Sequence, residues 1–145
     1  MSCSANIFTK SKKDCRSDKC DICLVKYTIY DNYSDPGFNV DALADMLDVS
    51  YETLYHICCK HFYSSPLDLI TKVRLMHSLR LFLKSKLPIA SISYLSGFAR
   101  VRTFRNNFKE YFDINPTKIK ESLSENGDKE AVIRILMEKL EEDHF

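Results

Sequence analysis

Within residues 100–109 the chain carries Arg100, Arg102, Arg105, Asn106 and Lys109, interleaved with Phe104 and Phe108, and Phe112 follows at the same interval of four. A guanidinium forks onto the acceptors of guanine, an amide pairs with adenine, and an ammonium neutralises a phosphate. Side chains of this kind on one helix make a reader of duplex nucleic acid. A second set, Tyr51, Thr53 and His56 with Glu52 and Tyr55, is polar and aromatic but holds no Arg or Lys. Its hydroxyls, imidazole and rings could reach a base edge, a sugar or a thymine methyl. Glu52 could accept from cytosine, yet it repels phosphate. A third set, Cys15, Cys20 and Cys23, reads C-x4-C-x2-C. Zinc would need a fourth ligand, from Cys3, Cys58, Cys59, His56 or His61. The spacing is not that of a standard knuckle, and the adjacent Cys58 and Cys59 cannot face the same way on a helix. Small apolar fillers and free thiols are the better reading of these cysteines. There is no Gly-rich phosphate loop, no His-x3-His pair and no nucleophile beside a base. Neither an enzyme nor a bound cofactor is expected.

The elements that must hold these groups follow from local signals. Phe104, Phe108 and Phe112 lie on one stripe of a helix expected over 101–111. Gly97-Phe98 ends a shorter helix that starts at Pro88, and Asn115-Pro116 opens a third, to about Ser124. Helix, glycine turn, helix, then a Pro-led helix is a helix-turn-helix unit. An earlier unit has the same grammar. Asn39 or Asp41 caps a helix with Leu43, Ala44 and Leu47 inward, Asp48-Val49 turns, and Ser50 caps a helix to about Phe62. Ser65-Pro66 starts a long helix to about Lys84, apolar almost all round and so buried on more than one side. Lys72, Arg74, Arg80 and Lys84 dot it and read mostly as solubilising side chains with their stems on apolar surface. Ile22, Val25, Ile29 and Tyr33 predict a helix from Asp21 to Tyr33. Asp128 caps a last helix with a narrow stripe of Val132, Ile133, Leu136 and Leu140. The expected fold is all-α: two homeodomain-like helix-turn-helix units joined by a long central helix. Residues 1–20 read as a flexible arm, 21–125 as the double unit and 126–145 as a helical extension that packs back or forms a weak dimer.

Composition sets the bounds. A chain of 145 residues with 45% hydrophobic content can bury a core. Its 3 Gly and 4 Pro are too few for a turn-rich barrel. No run spans a membrane and residues 1–30 lack an apolar signal core, so a cytoplasmic protein with reduced thiols is expected. The net charge of +1 conceals segregation. Residues 39–66 hold one Lys against four acids, and residues 121–145 three bases against eight acids. Between them, residues 67–87 have five bases and one acid, and residues 88–120 six bases and two acids. A basic middle beside acidic flanks is a local electrostatic footprint for DNA.

Two such units joined by a long helix resemble the DNA-binding domain of the AraC/XylS family of transcription regulators. The likeness covers about residues 38–121 and is strongest in GFARVRTFRNNFKEYFDINPTKIK. The helix at 21–33 followed by SDPGFNVDALA is similar to the version fused to hybrid two-component sensors. The resemblance implies a single chain placing two recognition helices, about 50–62 and 101–111, in successive major grooves of double-stranded DNA. It also implies activation through RNA polymerase. With no sensor segment in these residues, control by expression level, a partner or thiol chemistry is expected rather than by a small ligand. The chain departs from the family pattern at His56, Cys58, Cys59 and Tyr63 in the first unit, and at Ser93, Ser96, Asn106, Asp113, Asn115, Ile119 and Lys120 in the second. Two other readings stand beside DNA reading. One is a degenerate member that binds another regulator as a protein-interaction module, and the other is a thiol or zinc sensor.

Overall fold

The computed structural model describes residues 21–125 and 128–142. Eight helices follow one another and no strand occurs among the described residues. They are α1 Asp21–Asn32, α2 Val40–Leu47, α3 Tyr51–Phe62, α4 Pro66–Lys84, α5 Ile89–Leu95, α6 Val101–Phe112, α7 Pro116–Glu125 and α8 Lys129–Glu142. The expected all-α architecture of two helix-turn-helix units on a long helix is present. None of the helices is long and apolar enough to cross a membrane.

Helices α2, α3, α4 and α8 start where a side chain supplies an orphan amide with an acceptor. Asn39 accepts from the Ala42 amide, Ser50 from Thr53, and Ser65 from Asp68 ahead of Pro66. Asp128 accepts from the Ala131 amide at 3.2 Å and opens α8. Asp48, Tyr63 and Asp113 end α2, α3 and α6 in the left-handed conformation.

Helix α4 carries two cores. Its first half, Leu69, Ile70 and Val73, packs with Val25 and Ile29 of α1, Leu43 and Ala44 of α2, and Leu54, Cys58 and Phe62 of α3. Its second half, Leu75, Met76, Leu79 and Phe82, packs with the apolar faces of α5, α6, α7 and α8. Burying one such side chain contributes about 1.5–3 kcal/mol. In α8, Ile133, Leu136 and Leu140 are buried in this second core, so of the two outcomes expected for the stripe, packing back or dimerising, these residues pack back, while Ile135 is exposed. Lys139 donates to the Phe112 carbonyl at 3.3 Å, tying α8 to the end of α6.

Two cations of α4 are not the solubilising side chains expected of them. Lys72 is 3% exposed, and its Nζ donates to Ser64 Oγ at 3.1 Å. Arg74 is half-buried and braces the α1–α2 connection. Its Nε donates to the Tyr33 carbonyl at 2.9 Å, and its Nη2 to those of Asp35 and Phe38 at 3.1 and 2.8 Å. Burial pulls its pKa down, with the Asp35 charge opposing. Gly97, in the turn of the second unit, lies against the same group at φ +98°. A Cβ there would stand 1.9 Å from the Tyr33 carbonyl oxygen and 2.8 Å from Arg74 Nε. Beside it the Tyr33 hydroxyl and His77 Nδ1 are 2.9 Å apart.

Gly97→Ala is therefore expected to cost at least about 2 kcal/mol, from left-handed strain and backbone collision together. Urea unfolding measures it, and an unchanged midpoint would contradict the junction described. His77 gives a pH signature. Burial, then the Arg80 charge, hold its imidazole below the ordinary value. The unfolded chain thus binds the proton first, and stability present above about pH 6.5 is lost as pH falls below it. The urea midpoint should drop more between about pH 7 and pH 5 in the wild type than in His77→Gln.

Candidate nucleic-acid interface

Helix α6 is positioned from beneath by aromatic rings. Phe104 and Phe108 centroids are 5.5 Å apart and those of Phe108 and Phe112 4.6 Å, both edge to face. Phe98 packs on Phe104 at 5.2 Å, and Phe82 of α4 on Phe108 at 5.8 Å. All five rings are buried. Edge-to-face contacts add to the burial of each ring, so the helix has little freedom to roll.

That anchoring leaves a polar face in solvent. Arg102, Asn106 and Lys109 are exposed, and Arg100 stands exposed at the N-cap without a side-chain cap bond. Arg105 differs. It lies half-buried on the flank of the face, and its Nη1 donates to Thr117 Oγ1 at 3.0 Å. Thr117 is itself fixed in the first turn of α7, where its amide donates to Asn115 Oδ1 at 2.9 Å. The guanidinium is held towards the α6–α7 corner, with further N–H donors left for a phosphate or a base edge. Sequence reasoning placed Arg105 on the helix and missed Thr117. The Pro-led start at Asn115-Pro116 was visible, but not that the corner folds back on Arg105.

The counterpart in the first unit is α3. Tyr51, Thr53, Tyr55 and His56 are exposed, as is Glu52. Thr53 is partly committed, since Ser50 Oγ donates to its Oγ1 at 3.0 Å. The Tyr51 and Tyr55 rings lie 6.1 Å apart. Tyr55 also bonds to Cys59, and this bond first of all holds its phenol above the ordinary value. Tyr51, Tyr55 and Cys59 form a stripe along α3 where a strongly phosphate-binding helix would carry cations. The two units are linked on α4, where Tyr111 of α6 donates to Asp68 Oδ1 at 2.9 Å.

The cysteine set is not assembled among the described residues. Cys15 and Cys20 lie outside them, and Cys23 is buried in α1. No group of three or more His, Cys, Asp or Glu is placed to hold a metal among the described residues. Burial, with Cys59 beside it, pushes the Cys58 thiol up to about 12 and keeps it protonated.

Paired helix-turn-helix units, seated on one long helix and presenting the polar faces of α3 and α6, define a double helix-turn-helix protein. Residues 43–122 match the family model of a helix-turn-helix domain, more than half of the chain. The chain belongs to this helix-turn-helix family, of the AraC type. The matched module is not a catalytic one. The Msm operon regulatory protein of Streptococcus mutans is 33% identical over 110 residues, 76% of this chain and 39% of that protein. Histidine kinase P4 of Formosa agariphila is 29% identical over 97 residues, 67% of this chain but 7% of that protein. The chain thus spans well under half of the curated relatives it matches. The solved C-terminal domain of the two-component response regulator yesN from Fusobacterium nucleatum superposes with a TM-score of 0.63 at 28% identity, covering 66% of this chain and 92% of that one.

Helix α5, which backs α6, carries an unusual load. Ser93 and Ser96 are 1% and 0% exposed, and neither hydroxyl has a hydrogen-bond partner among the described residues. A buried hydroxyl left unpaired costs about 1–3 kcal/mol. Ser93→Ala should raise unfolding stability by about 1 kcal/mol, read from the urea midpoint, and a loss of stability would show that the hydroxyl is satisfied.

Proposed function

We propose that this chain is a sequence-specific DNA-binding transcription regulator that acts through two recognition helices. The carrying observation is the exposed Arg102, Asn106 and Lys109 face of α6, held rigid on buried phenylalanines in a helix-turn-helix chain. Arg102 is the base reader in this proposal, with Asn106 beside it. Arg100 and Lys109 neutralise phosphates, and Arg105 contacts the backbone from the α6–α7 corner. Helix α3 enters the next major groove about one turn, roughly 34 Å, along the same face. There Tyr51, Thr53 and His56 make apolar and hydrogen-bonding contacts without a phosphate-neutralising charge. A stiff frame makes the DNA bend where the two helices sit closer than a turn. A contact with RNA polymerase belongs to the proposal as well.

A second reading has its own support. Tyr51 and Tyr55, with Tyr63 and Leu67 just beyond α3, are 51%, 45%, 70% and 62% exposed. The segment 39–66 is acidic in balance, which suits a protein partner better than a phosphate backbone. The two readings diverge in salt, because affinity for duplex falls steeply with ionic strength in proportion to the phosphates neutralised.

The test uses a site selected from random duplex. Arg102→Ala should weaken binding by about 1–3 kcal/mol and relax preference at one base pair. Lys109→Ala should weaken all sequences alike and lower the salt slope by about one. Thr53→Ala and His56→Ala together ask whether α3 contributes. Absence of salt-dependent retention on duplex, with a stoichiometric protein co-purifying, would replace the first reading by the second.

A further inference from the structure

One carboxylate of α4 interacts with both α3 and α6. Asp68 stands in the first turn of α4, where its amide donates to Ser65 Oγ at 3.2 Å, so the cap that opens the helix also fixes this residue. It directly precedes Leu69 and Ile70, which lie in the first core. Its Oδ1 accepts from the Tyr111 hydroxyl at 2.9 Å. Tyr111 is half-buried, and its side chain packs against the second core beside Phe112. The bond therefore runs from the second unit to the part of α4 that belongs to the first. The same carboxylate acts on α3. The Tyr55 phenol is held above its ordinary value first by its bond to Cys59, and the Asp68 charge adds to the shift.

A shared helix does not by itself fix how each unit is turned about it. That takes contacts made away from the helix axis, from one unit to the other's share of the frame. The turn at Gly97, set against the Tyr33 carbonyl and Arg74, is one such contact. Asp68 precedes Arg74 by six residues, which puts it about 120° away around α4 and about 9 Å away along it. Two attachments so separated resist a rotation that either alone would allow. A phenol donating to a carboxylate also makes a stronger bond than two neutral groups do. We propose that the Tyr111–Asp68 hydrogen bond is a second strut between the units, and that Asp68 is a positioning residue that fixes the angle between α3 and α6. What this means for DNA rests on the reading of those two helices as readers of successive grooves. The strut then sets which spacing of half-sites the chain accepts. One base pair more or less displaces a half-site by about 3.4 Å and turns it by about 35°. A loose joint follows that change and a strutted one does not.

The test has two arms. In the full chain without DNA, residual dipolar couplings of the backbone amides report the relative orientation of α3 and α6. One alignment tensor should fit both helices in the wild type and in Asp68→Asn, whose amide oxygen still accepts from Tyr111. In Tyr111→Phe and in Asp68→Ala the two helices should require different tensors. The double variant should be no looser than either single one. In the second arm, one base pair is added or removed between the half-sites of a site selected from random duplex. The affinity lost by that change should shrink about threefold or more in Tyr111→Phe and Asp68→Ala, and stay within about twofold of the wild type in Asp68→Asn. Asp68 is exposed, so Asp68→Ala serves alone if Tyr111→Phe does not fold. A common tensor in the variants overturns the proposal even where the urea midpoint falls, since a bond that merely stabilises would lower the midpoint and nothing else. An unchanged spacing preference overturns it as well. If the wild type ignores spacing or is not retained on duplex, the two-helix reading of DNA is what fails, and the couplings alone uphold or overturn the strut.

Discussion

The guanidinium of Arg74 is the interaction on which the rest of the molecule depends. A half-buried cation is costly unless its donors meet acceptors. Here they meet three carbonyls of the irregular stretch between α1 and α2, Tyr33, Asp35 and Phe38. The gain runs both ways, because backbone carbonyls outside a helix need donors too. A lysine could not replace it, since one ammonium does not present the planar fork that spans several acceptors. Gly97 then presses the turn of the second unit onto the same place. One side chain of α4 thus joins the end of α1, the entry to α2 and the turn before α6. The first half of α4 belongs to one core and its second half to the other, so a single helix carries both units.

Much of this was legible in the sequence, and the reason is locality. The caps Asn39, Ser50 and Ser65, the step Ser65-Pro66 and the four-residue interval of Phe104, Phe108 and Phe112 are signals within one or two turns, and the helices start and pack where those signals say. Arg74 was read as a surface cation because its partners lie 36 to 41 residues earlier in the chain. Lys72 was misread similarly, its partner Ser64 being on the far side of a helix start. The stripe of α8 was visible, but not whether it faced inward or towards a second copy. The candidate site divides the same way. Its residue types and their helical face were readable, whereas the tether of Arg105 to Thr117 depends on how α7 turns back. Ser93 and Ser96 departed visibly from the family pattern, yet only packing shows them buried.

The two units are unequal, and the shared frame gives that inequality a meaning. Helix α6 presents Arg102 and Lys109 in solvent, with Arg100 at its start. Helix α3 presents Tyr51, Tyr55 and His56 beside Glu52. In the proposed complex the phosphate term, which dominates affinity, comes from the second unit. A freely tethered first unit of this composition would contribute little. On a rigid frame it need not bind alone, because once α6 is seated α3 is already held at its groove, and its local concentration replaces the missing charge. What α3 adds is then discrimination rather than grip: a methyl or hydrogen-bond contact that only some sequences satisfy, with Glu52 opposing the rest. A reader built this way tolerates the loss of arginines from one recognition helix as long as the brace at Arg74 and the phenylalanines under α6 keep the two helices in fixed relation.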